Sequence, residues 1–178
     1  FLFIYSIISL RLYLKFMTVQ IKYKNSALKK EGSNPVLFVD KKFNISTLKK
    51  HILNSEFTFI SDLLKTKDLK EKILTFDISS KRKIILVALN DKLTSSDLEN
   101  LGGKFFDIFK NLEKKEYNIN SDTVPSQYKN LIGYFLHGIK LKSYSFEKYK
   151  TKKNKKNISV NLVGKNIPTK KDQLKFKA

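Results

Sequence analysis

The 178-residue sequence contains no cysteine, no tryptophan, one methionine and two histidines. The absence of cysteine excludes disulfide bonds, cysteine-ligated zinc and a thiol nucleophile. His51 and His137 lie far apart in the sequence, which argues against a histidine-rich metal site. Arginine is also scarce, since Arg11 and Arg82 are the only arginines among 36 basic residues. The chain therefore lacks many of the side chains from which metal centres and nucleophilic sites are built.

Long hydrophobic runs are absent as well. Residues 1–16 are apolar, but Arg11 and Lys15 interrupt them and leave an uncharged run of ten residues, whereas a membrane-spanning helix needs about 20. The charges follow the apolar run, which does not fit a signal peptide. Met17 directly precedes a strand-like segment. We therefore expect translation to start at Met17, with residues 1–16 as an apolar leader upstream of it and a signal anchor as the alternative.

Positive charge is abundant, with a formal net charge of +20. Such an excess favours a polyanionic partner, either a nucleic acid or an acidic membrane surface. Nearly all of the charge is lysine, however, and specific phosphate and base contacts favour the guanidinium group of arginine. An AT-rich coding sequence would also enrich lysine, asparagine, isoleucine and phenylalanine. A lysine-coated surface is our preferred interpretation. Nucleic acid is a possible but not favoured partner, and no membrane partner is favoured.

Strand and helix patterns alternate beyond Met17, which predicts one α/β domain. Its 41% hydrophobic residues suffice for a core. Strands are predicted at 19–23, 35–40, 72–78, 83–90, 117–123 and 158–163, and the continuous apolar run at 84–89 is typical of a strand buried on both faces. Helices are predicted from Ser46, around Leu63, from Ser96 and from Gln127.

The helix from Ser96 has the clearest start, because Ser96 and Glu99 fit a capping box. Its apolar stripe comprises Leu98, Leu101, Phe105, Ile108, Phe109 and Leu112. Gly102 and Gly103 interrupt this stripe, at a cost of roughly 1 kcal/mol per glycine relative to alanine. A close approach of the helix backbone to the sheet or to a neighbouring subunit would explain them.

Few side chains suggest catalysis. Asp40 and Asp77 fall near predicted strand ends, where α/β proteins place functional carboxylates, but turn or cap roles are the favoured interpretation. His137 has no nucleophile or carboxylate partner at an argued position, which indicates a structural histidine. No nucleophile, base and orienting group can be combined, so no catalytic, cofactor-binding or metal-binding residue is predicted.

An aromatic and basic tract at 143–153 follows the last long helix. Tyr144, Phe146 and Tyr149 lie among four lysines there, and this chemistry suits a stacking and phosphate-binding surface. The pattern Tyr144-Ser145-Phe146-Glu147-Lys148-Tyr149-Lys150 also resembles the end of the N-terminal domain of the leucyl (cytosol) aminopeptidases. Under that second interpretation its aromatics are packing residues that close the domain.

Other segments resemble this aminopeptidase domain in the same order. They are the strand at 84–90, the 93–109 segment with Gly102 and Gly103, the helix from Gln127, and the tract itself. The structural signature comprises Tyr144, Phe146, Glu147, Tyr149, Lys150, Gly102, Gly103 and Gly138. The chain departs from the family at 137–141, where His137 stands in a glutamate position and Lys140 in an apolar one.

The resemblance implies a macro-domain-like α/β fold, with a mixed, mostly parallel sheet flanked by helices, over residues 17–163. Residues 164–178 would begin a linker to a C-terminal catalytic domain that this chain lacks. The parent would be a cytoplasmic, hexameric peptidase acting on peptides with two divalent metals, Mn or Zn, and this chain alone would be inactive and hold no cofactor. The alternative is a stand-alone macro-like module for a nucleotide, or a lysine-rich nucleic-acid-binding module.

Overall fold

The computed structural model describes residues 19–29, 33–110, 116–144 and 158–175. The strands are β1 (Val19–Lys24), β2 (Pro35–Asp40), β3 (Ile73–Ser79), β4 (Arg82–Leu89), β5 (Glu116–Asn120) and β6 (Ile158–Val163). The α-helices are α1 (Asn54–Thr66), α2 (Ser95–Phe109), α3 (Ile132–Ser143) and α4 (Lys170–Lys175). Short 3-10 helices cover Ser46–Lys50, Ser121–Thr123 and Ser126–Leu131. The predicted leader at 1–16 and the start at Met17 lie outside these residues.

The described strands form one sheet in the order β1-β6-β5-β2-β4-β3. Neighbouring strands are parallel except for β3 and β4, which are antiparallel. Strand β4 is buried along nearly its whole length, as expected of a central strand covered on both faces. The predicted α/β fold class, with a mostly parallel sheet flanked by helices, is confirmed.

One face of the sheet packs against α2 and α3. Side chains from all six strands join this hydrophobic cluster. Aromatic rings form its centre: the ring of Phe135 on α3 lies 5.4 Å from that of Phe38 on β2 and 5.6 Å from that of Phe105 on α2. The Phe105 ring also meets that of Tyr117 on β5 edge-on at 5.9 Å. Such offset and edge-to-face contacts stabilise an aromatic core beyond simple burial.

The opposite face of the sheet is apolar over three strands and polar over the other three. Over β2, β4 and β3 it is apolar and packs against α1 and the Ser46–Lys50 helix. Over β1, β6 and β5 the apolar residues of each strand point to the α2–α3 side, and side chains alternate along a strand. The opposite side therefore carries polar residues, which we call the polar half-face: Gln20, Lys22, Lys24, Glu116, Asn118, Asn120, Ser159 and Asn161.

The first turn of α2 corrects the predicted capping box. Thr94, not Ser96, is the N-cap: its Oγ1 accepts a hydrogen bond from the Asp97 backbone N–H at 3.2 Å. The Thr94 backbone N–H donates in return to Asp97 Oδ2 at 2.9 Å. Two Ser/Thr-x-x-Asp/Glu boxes overlap in this segment. The earlier one forms, and the Glu99 side chain of the later one contacts His137 on α3 instead.

Other element boundaries also differ from the predictions. The helix expected from Ser46 is a short 3-10 helix, and the regular α-helix begins at Asn54. The strand expected at 117–123 ends at Asn120, after which the chain turns. In the α2 stripe, Phe106 is buried while Ile108 is 43% exposed, and Leu112 lies outside the described residues. The buried face of α2 therefore differs at these two positions from the stripe that the periodicity predicted.

Candidate functional site

Strands β2 and β5 meet where the chain connections diverge to opposite sides of the sheet. In open α/β sheets, ligands bind at the carboxyl ends of the strands at such a switch point. Here β2 and β5 pair only through Pro35 with Asn118 and Val36 with Ile119. Beyond these pairs, the Phe38 backbone N–H donates to Thr123 Oγ1 at 2.9 Å. The turn after β5 thus bridges the opening between the strands.

A second polar contact lies at the same edge. Asn120 Nδ2 donates to His51 Nδ1 at 3.0 Å, and the Thr123 hydroxyl donates to the Asn120 carbonyl at 2.8 Å. Asn120 is 1% exposed. Side chains of the chain itself therefore join the strand ends at the switch point, the edge where ligands bind in open α/β sheets.

The two aspartates considered from the sequence do not meet. Asp40 Oδ1 accepts hydrogen bonds from the backbone N–H groups of Lys42 at 3.0 Å and Asn44 at 2.9 Å, so the predicted turn role is confirmed. Asp77 lies inside β3, not at its end, and forms an ion pair with Lys83 on β4. Asp77 and Lys83 are directly opposite in the antiparallel register, so their pairing supports the sheet.

His137 does have a carboxylate partner, which the sequence prediction lacked. Its Nδ1 forms a hydrogen bond with Oε1 of Glu99. Both side chains are partly exposed, and the contact joins α3 to α2. A structural role for His137 agrees with this position between two packed helices.

The signature glycines come together where α2 crosses α3. A Cβ atom at Gly102 would lie 2.0 Å from the Phe135 carbonyl oxygen, and one at Gly138 would lie 1.9 Å from the Glu99 carbonyl oxygen. Each helix thus presents a glycine to the backbone of the other. The close approach expected at Gly102 is real, but its partner is helix α3, not the sheet or another subunit. Gly103 faces Lys142 at ordinary van der Waals distance.

A groove of about 700 Å³ runs along this helix crossing. Its lining includes Lys72, Asp97, Glu99, Asn100, Leu101, Gly103, Lys104, Asp107, Gly138, Leu141 and Lys142. Three lysines and three carboxylates among these residues balance one another, although the whole chain carries +20. The groove therefore has no excess of positive charge for a polyanion.

Hydrogen bonds shift the pKa of two carboxyls in the groove. The side-chain hydrogen bond from Lys110, together with the contact to Lys142, lowers the pKa of Asp107; the Lys110 Nζ lies 2.6 Å from Asp107 Oδ1 and the Lys142 Nζ lies 3.1 Å from Oδ2. Hydrogen bonds from the Thr94 side chain and backbone lower the pKa of Asp97. Neither carboxyl therefore has the raised pKa of a general acid.

Of the signature residues in the tract at 143–153, only Tyr144 lies within the described part of the chain. Tyr144 follows α3 and is 43% exposed, and its backbone N–H donates to the Leu141 carbonyl at 3.2 Å. Phe146, Glu147, Tyr149 and Lys150 lie outside the described residues. Their predicted packing role stays a prediction.

Within the four described ranges, no group of three or more His, Cys, Asp or Glu side chains could hold a metal ion. Among those same residues, no helix is long and apolar enough to cross a membrane.

The sequence interpretation missed the polar half-face and a cavity beside it. The cavity measures about 390 Å³ and is lined by Lys24, Ser26, Ala27, Leu28, Lys29, Ser33, Asn34, Glu116, Asn118 and Val163. Polar residues at every second position, as at Glu116, Asn118 and Asn120, were a visible signal of this face. Their convergence with Asn161 becomes evident only once β5 and β6 are known to be neighbours.

Comparisons with known proteins support the fold. No protein-family model and no curated protein sequence matches the chain. Among solved structures, a mutant of tomato leucine aminopeptidase is similar with a TM-score of 0.65 and 17% sequence identity, covering 89% of this chain and 35% of the tomato chain. The macrodomain of Thermus aquaticus DarG is similar with a TM-score of 0.52 and 9% identity, covering 82% of this chain and 98% of that macrodomain. The chain therefore has a macro-like fold and spans about a third of the aminopeptidase that it matches.

Proposed function

We propose that this chain is the N-terminal, non-catalytic domain of a metal-dependent leucyl aminopeptidase, a protein that releases N-terminal amino acids from peptides. The observation that carries the proposal is the match of 89% of the chain to 35% of tomato leucine aminopeptidase. The position of Gly102 and Gly138 at one helix crossing adds to it, because the sequence resemblance includes both residues.

The domain would serve assembly and architecture. Its principal partner would be the catalytic domain that follows residues 164–178 in the same polypeptide, and the whole protein would form a homo-oligomer, a hexamer by family resemblance. Two divalent metal ions, Mn or Zn, would supply the hydrolytic chemistry in that catalytic domain. The parent protein would be cytoplasmic.

The bridged switch point favours an architectural role over ligand binding at that edge. The Phe38 to Thr123 and Asn120 to His51 hydrogen bonds use the polar groups that a ligand would need there. A domain whose strand ends are bridged in this way can still present its helices and its sheet edge to other domains.

Sequencing the gene beyond the codon for Ala178 tests this proposal. We expect the frame to continue for roughly 300 residues, or two ordinary domains, and to encode clustered metal-binding carboxylates. The extended protein should then hydrolyse leucyl peptides in the presence of Mn or Zn, whereas the 178-residue chain should not. A stop codon directly after Ala178 would refute the proposal, as would peptidase activity in the 178-residue chain.

A stand-alone macro-like nucleotide-binding module is the second candidate. It is favoured by the match to 98% of the DarG macrodomain, which shows that a chain of this extent suffices for that fold. Calorimetric titration with adenosine diphosphate would detect such binding. For a lysine-rich nucleic-acid-binding module, duplex affinity should fall steeply with salt. No measurable duplex binding above about 150 mM salt would exclude it.

A further inference from the structure

We propose that the turn after β5 is a clamp that fixes the direction in which the chain leaves the domain after β6. Asp122 is the central residue of this clamp, and the segment that it fixes comprises residues 164–175. The clamp is formed by described residues of this chain alone. Its consequence is that a following catalytic domain is held in one orientation and not on a flexible tether, and this consequence rests on the proposed function.

The turn that carries Asp122 is itself held by side chains. Asn120 Oδ1 accepts a hydrogen bond from the Asp122 backbone N–H at 3.0 Å, and the Thr123 hydroxyl donates to the Asn120 carbonyl at 2.8 Å. The Asn120 side chain is buried and also bonds His51. Hydrogen bonds from such side chains to nearby backbone groups stabilise a turn. The Asp122 carboxylate therefore projects from a restrained backbone.

Ser121 makes the first contact from this turn to the end of β6. Its fully buried Oγ donates to the carbonyl of Val163, the last residue of β6, at 3.0 Å. The next residue, Gly164, has a φ of +123°, a backbone conformation that favours glycine. A Cβ atom at Gly164 would lie 2.4 Å from Ser121 Oγ and 3.0 Å from Asp122 Oδ1. Glycine is therefore required where the chain passes the clamp, both for its conformation and for the space.

The Asp122 carboxylate holds the two residues after this glycine. Its Oδ1 accepts a hydrogen bond from the Lys165 backbone N–H at 2.8 Å and another from Asn166 Nδ2 at 3.3 Å. Hydrogen bonds to an ionised carboxylate are stronger than those between neutral groups. The Gly164 backbone N–H also donates to the Ser26 carbonyl at 2.9 Å. Residues 164–166 are thus held by two segments that are distant in sequence.

The connection from the clamp to α4 is short and restrained. Helix α4 begins four residues after Asn166, and Pro168 restricts its own backbone and that of the residue before it. Gln173 Nε2 donates to the Pro168 carbonyl at 2.7 Å. The Asp172 backbone N–H donates to Thr169 Oγ1 at 3.2 Å, which caps the start of the helix. The direction of α4 therefore follows that of residues 164–166.

The surface of α4 explains why its direction depends on the clamp. Leu174 is 62% exposed, and Lys170 and Lys171 are exposed as well. A helix of six residues with so little burial gains little stability from packing. A recess of about 260 Å³ lies between residues 165–172 and the side that includes Lys129 and Gly133. Loss of the Asp122 hydrogen bonds should therefore release the segment.

A distance measurement between two spin labels on the full chain tests the proposal. The sequence contains no cysteine, so Leu174→Cys on α4 and Lys104→Cys on α2 provide the only two thiols. Both side chains are exposed. We expect one narrow distance distribution by double electron–electron resonance, and a broad one when Asp122→Ala is added. A broad distribution in the labelled parent, or an equally narrow one with Asp122→Ala, would overturn the proposal.

Hydrogen exchange of the Lys165 amide, followed by NMR on the cysteine-free chain, measures the clamp directly. Asp122→Ala should accelerate this exchange about tenfold or more, because it removes the acceptor. Asp122→Asn keeps an oxygen that can accept the same bond, so it should retain both the protection and the narrow distance distribution. Unchanged exchange in Asp122→Ala would contradict the clamp.

Two further variants separate the clamp from a general loosening of the domain. Gly164→Ala should broaden the distance distribution although Asp122 is intact, because its Cβ atom would displace Ser121 or Asp122. Asp68→Ala removes a carboxylate that is 66% exposed and precedes β3 at the other edge of the sheet, and it should leave the distribution narrow. An equal broadening in Asp68→Ala would contradict the assignment to Asp122.

These measurements involve neither peptide hydrolysis nor residues beyond Ala178, so the clamp and the aminopeptidase proposal can fail separately. A stop codon directly after Ala178 would refute the aminopeptidase proposal alone. A mobile label at position 174 in the parent chain would refute the clamp alone.

Discussion

The guanidinium group of Arg82 donates hydrogen bonds to both carboxylate oxygens of Glu56, from Nε to Oε1 at 2.5 Å and from Nη2 to Oε2 at 3.1 Å. The two side chains are 11% and 5% exposed. Arg82 Nη1 also donates to the Ser33 carbonyl at 2.5 Å, and Glu56 Oε2 accepts from the Leu53 backbone N–H at 3.1 Å. This pair joins α1 to β4 and to Ser33, two residues before β2.

Glu56→Ala should lower the free energy of unfolding by about 3 to 5 kcal/mol, because it leaves the Arg82 charge buried without a partner. Arg82→Lys should cost less, about 1 to 3 kcal/mol, since an ammonium group keeps the charge but cannot form the two parallel hydrogen bonds. Urea unfolding followed by circular dichroism measures both. Lys83→Ala is the control, because its partner Asp77 is 66% exposed and such pairs contribute about 0 to 1 kcal/mol. A loss below 1 kcal/mol in Glu56→Ala would contradict this account.

The Arg82–Glu56 pair illustrates what the sequence could not predict. The two residues are 26 positions apart, and nothing in either local pattern indicates that α1 begins directly over the start of β4. The sequence did predict the strands around 84–89 and 158–163, because continuous or alternating apolar residues depend on the face that each residue occupies. Strand order and helix tilt depend on packing between distant segments, which local periodicity does not encode.

At the α2–α3 crossing and on the polar half-face, the sequence likewise could not show which distant segment lies next to a residue. Gly102 signalled a close approach, since a helix bears the cost of glycine only where space is short. The pattern could not show whether sheet, subunit or helix α3 supplies the neighbour. Likewise, Glu116 and Asn118 marked a polar strand face, but the buried amide of Asn161 joins them only because β6 pairs with β5.

Gly102→Ala should destabilise the chain strongly, whereas Gly103→Ala should not. A Cβ atom at Gly102 would overlap the Phe135 carbonyl at 2.0 Å, while one at Gly103 would meet Lys142 at 3.8 Å. Separating α2 from α3 to relieve the overlap should cost about 1 to 3 kcal/mol or more. Gly103→Ala should be neutral or stabilise α2 by up to about 1 kcal/mol.

Thermal unfolding of the two glycine variants side by side provides the measurement. The substitutions are adjacent in one helix and add the same methyl group, so helix propensity cancels between them. Equal melting temperatures would show that the α2–α3 contact is looser than the structure indicates.

Thr94→Ala should destabilise the start of α2 by about 1 kcal/mol, because it removes the N-cap hydroxyl. Ser96→Ala is the control that separates the observed cap from the one expected from the sequence; it lies inside the helix and should change stability little. Urea unfolding of both variants at neutral pH decides between the two caps. A larger loss of stability in Ser96→Ala than in Thr94→Ala would show that Ser96 is the N-cap.

The same cap predicts a dependence on acid pH. Hydrogen bonds from Thr94 hold the pKa of Asp97 below its ordinary value of 3.8. The folded state therefore binds this proton less readily than the unfolded state, so the contribution of Asp97 is present above that value and is lost as pH falls through the lowered pKa. Between pH 6 and pH 2, the free energy of unfolding should fall less in Thr94→Ala than in the parent chain. Parallel pH profiles for the two proteins would exclude this coupling.

Tyr117 predicts a loss of stability at alkaline pH. Burial raises its pKa from 10.0 to about 12, and its side chain is fully buried against the rings of Phe105 and Phe109. In the unfolded chain this phenol ionises near pH 10, whereas in the folded chain it stays protonated until about pH 12. The stabilising difference is complete below pH 10. As pH rises above 10, the free energy of unfolding falls by about 1.4 kcal/mol per pH unit.

Tyr117→Phe should remove this part of the dependence of unfolding free energy on pH, measured between pH 10 and 11 by urea unfolding. Tyr144→Phe, at a 43% exposed position, should retain it. If the pH dependence is the same in Tyr117→Phe and in the parent chain, the Tyr117 hydroxyl is accessible to solvent and is not buried beside Phe105 and Phe109.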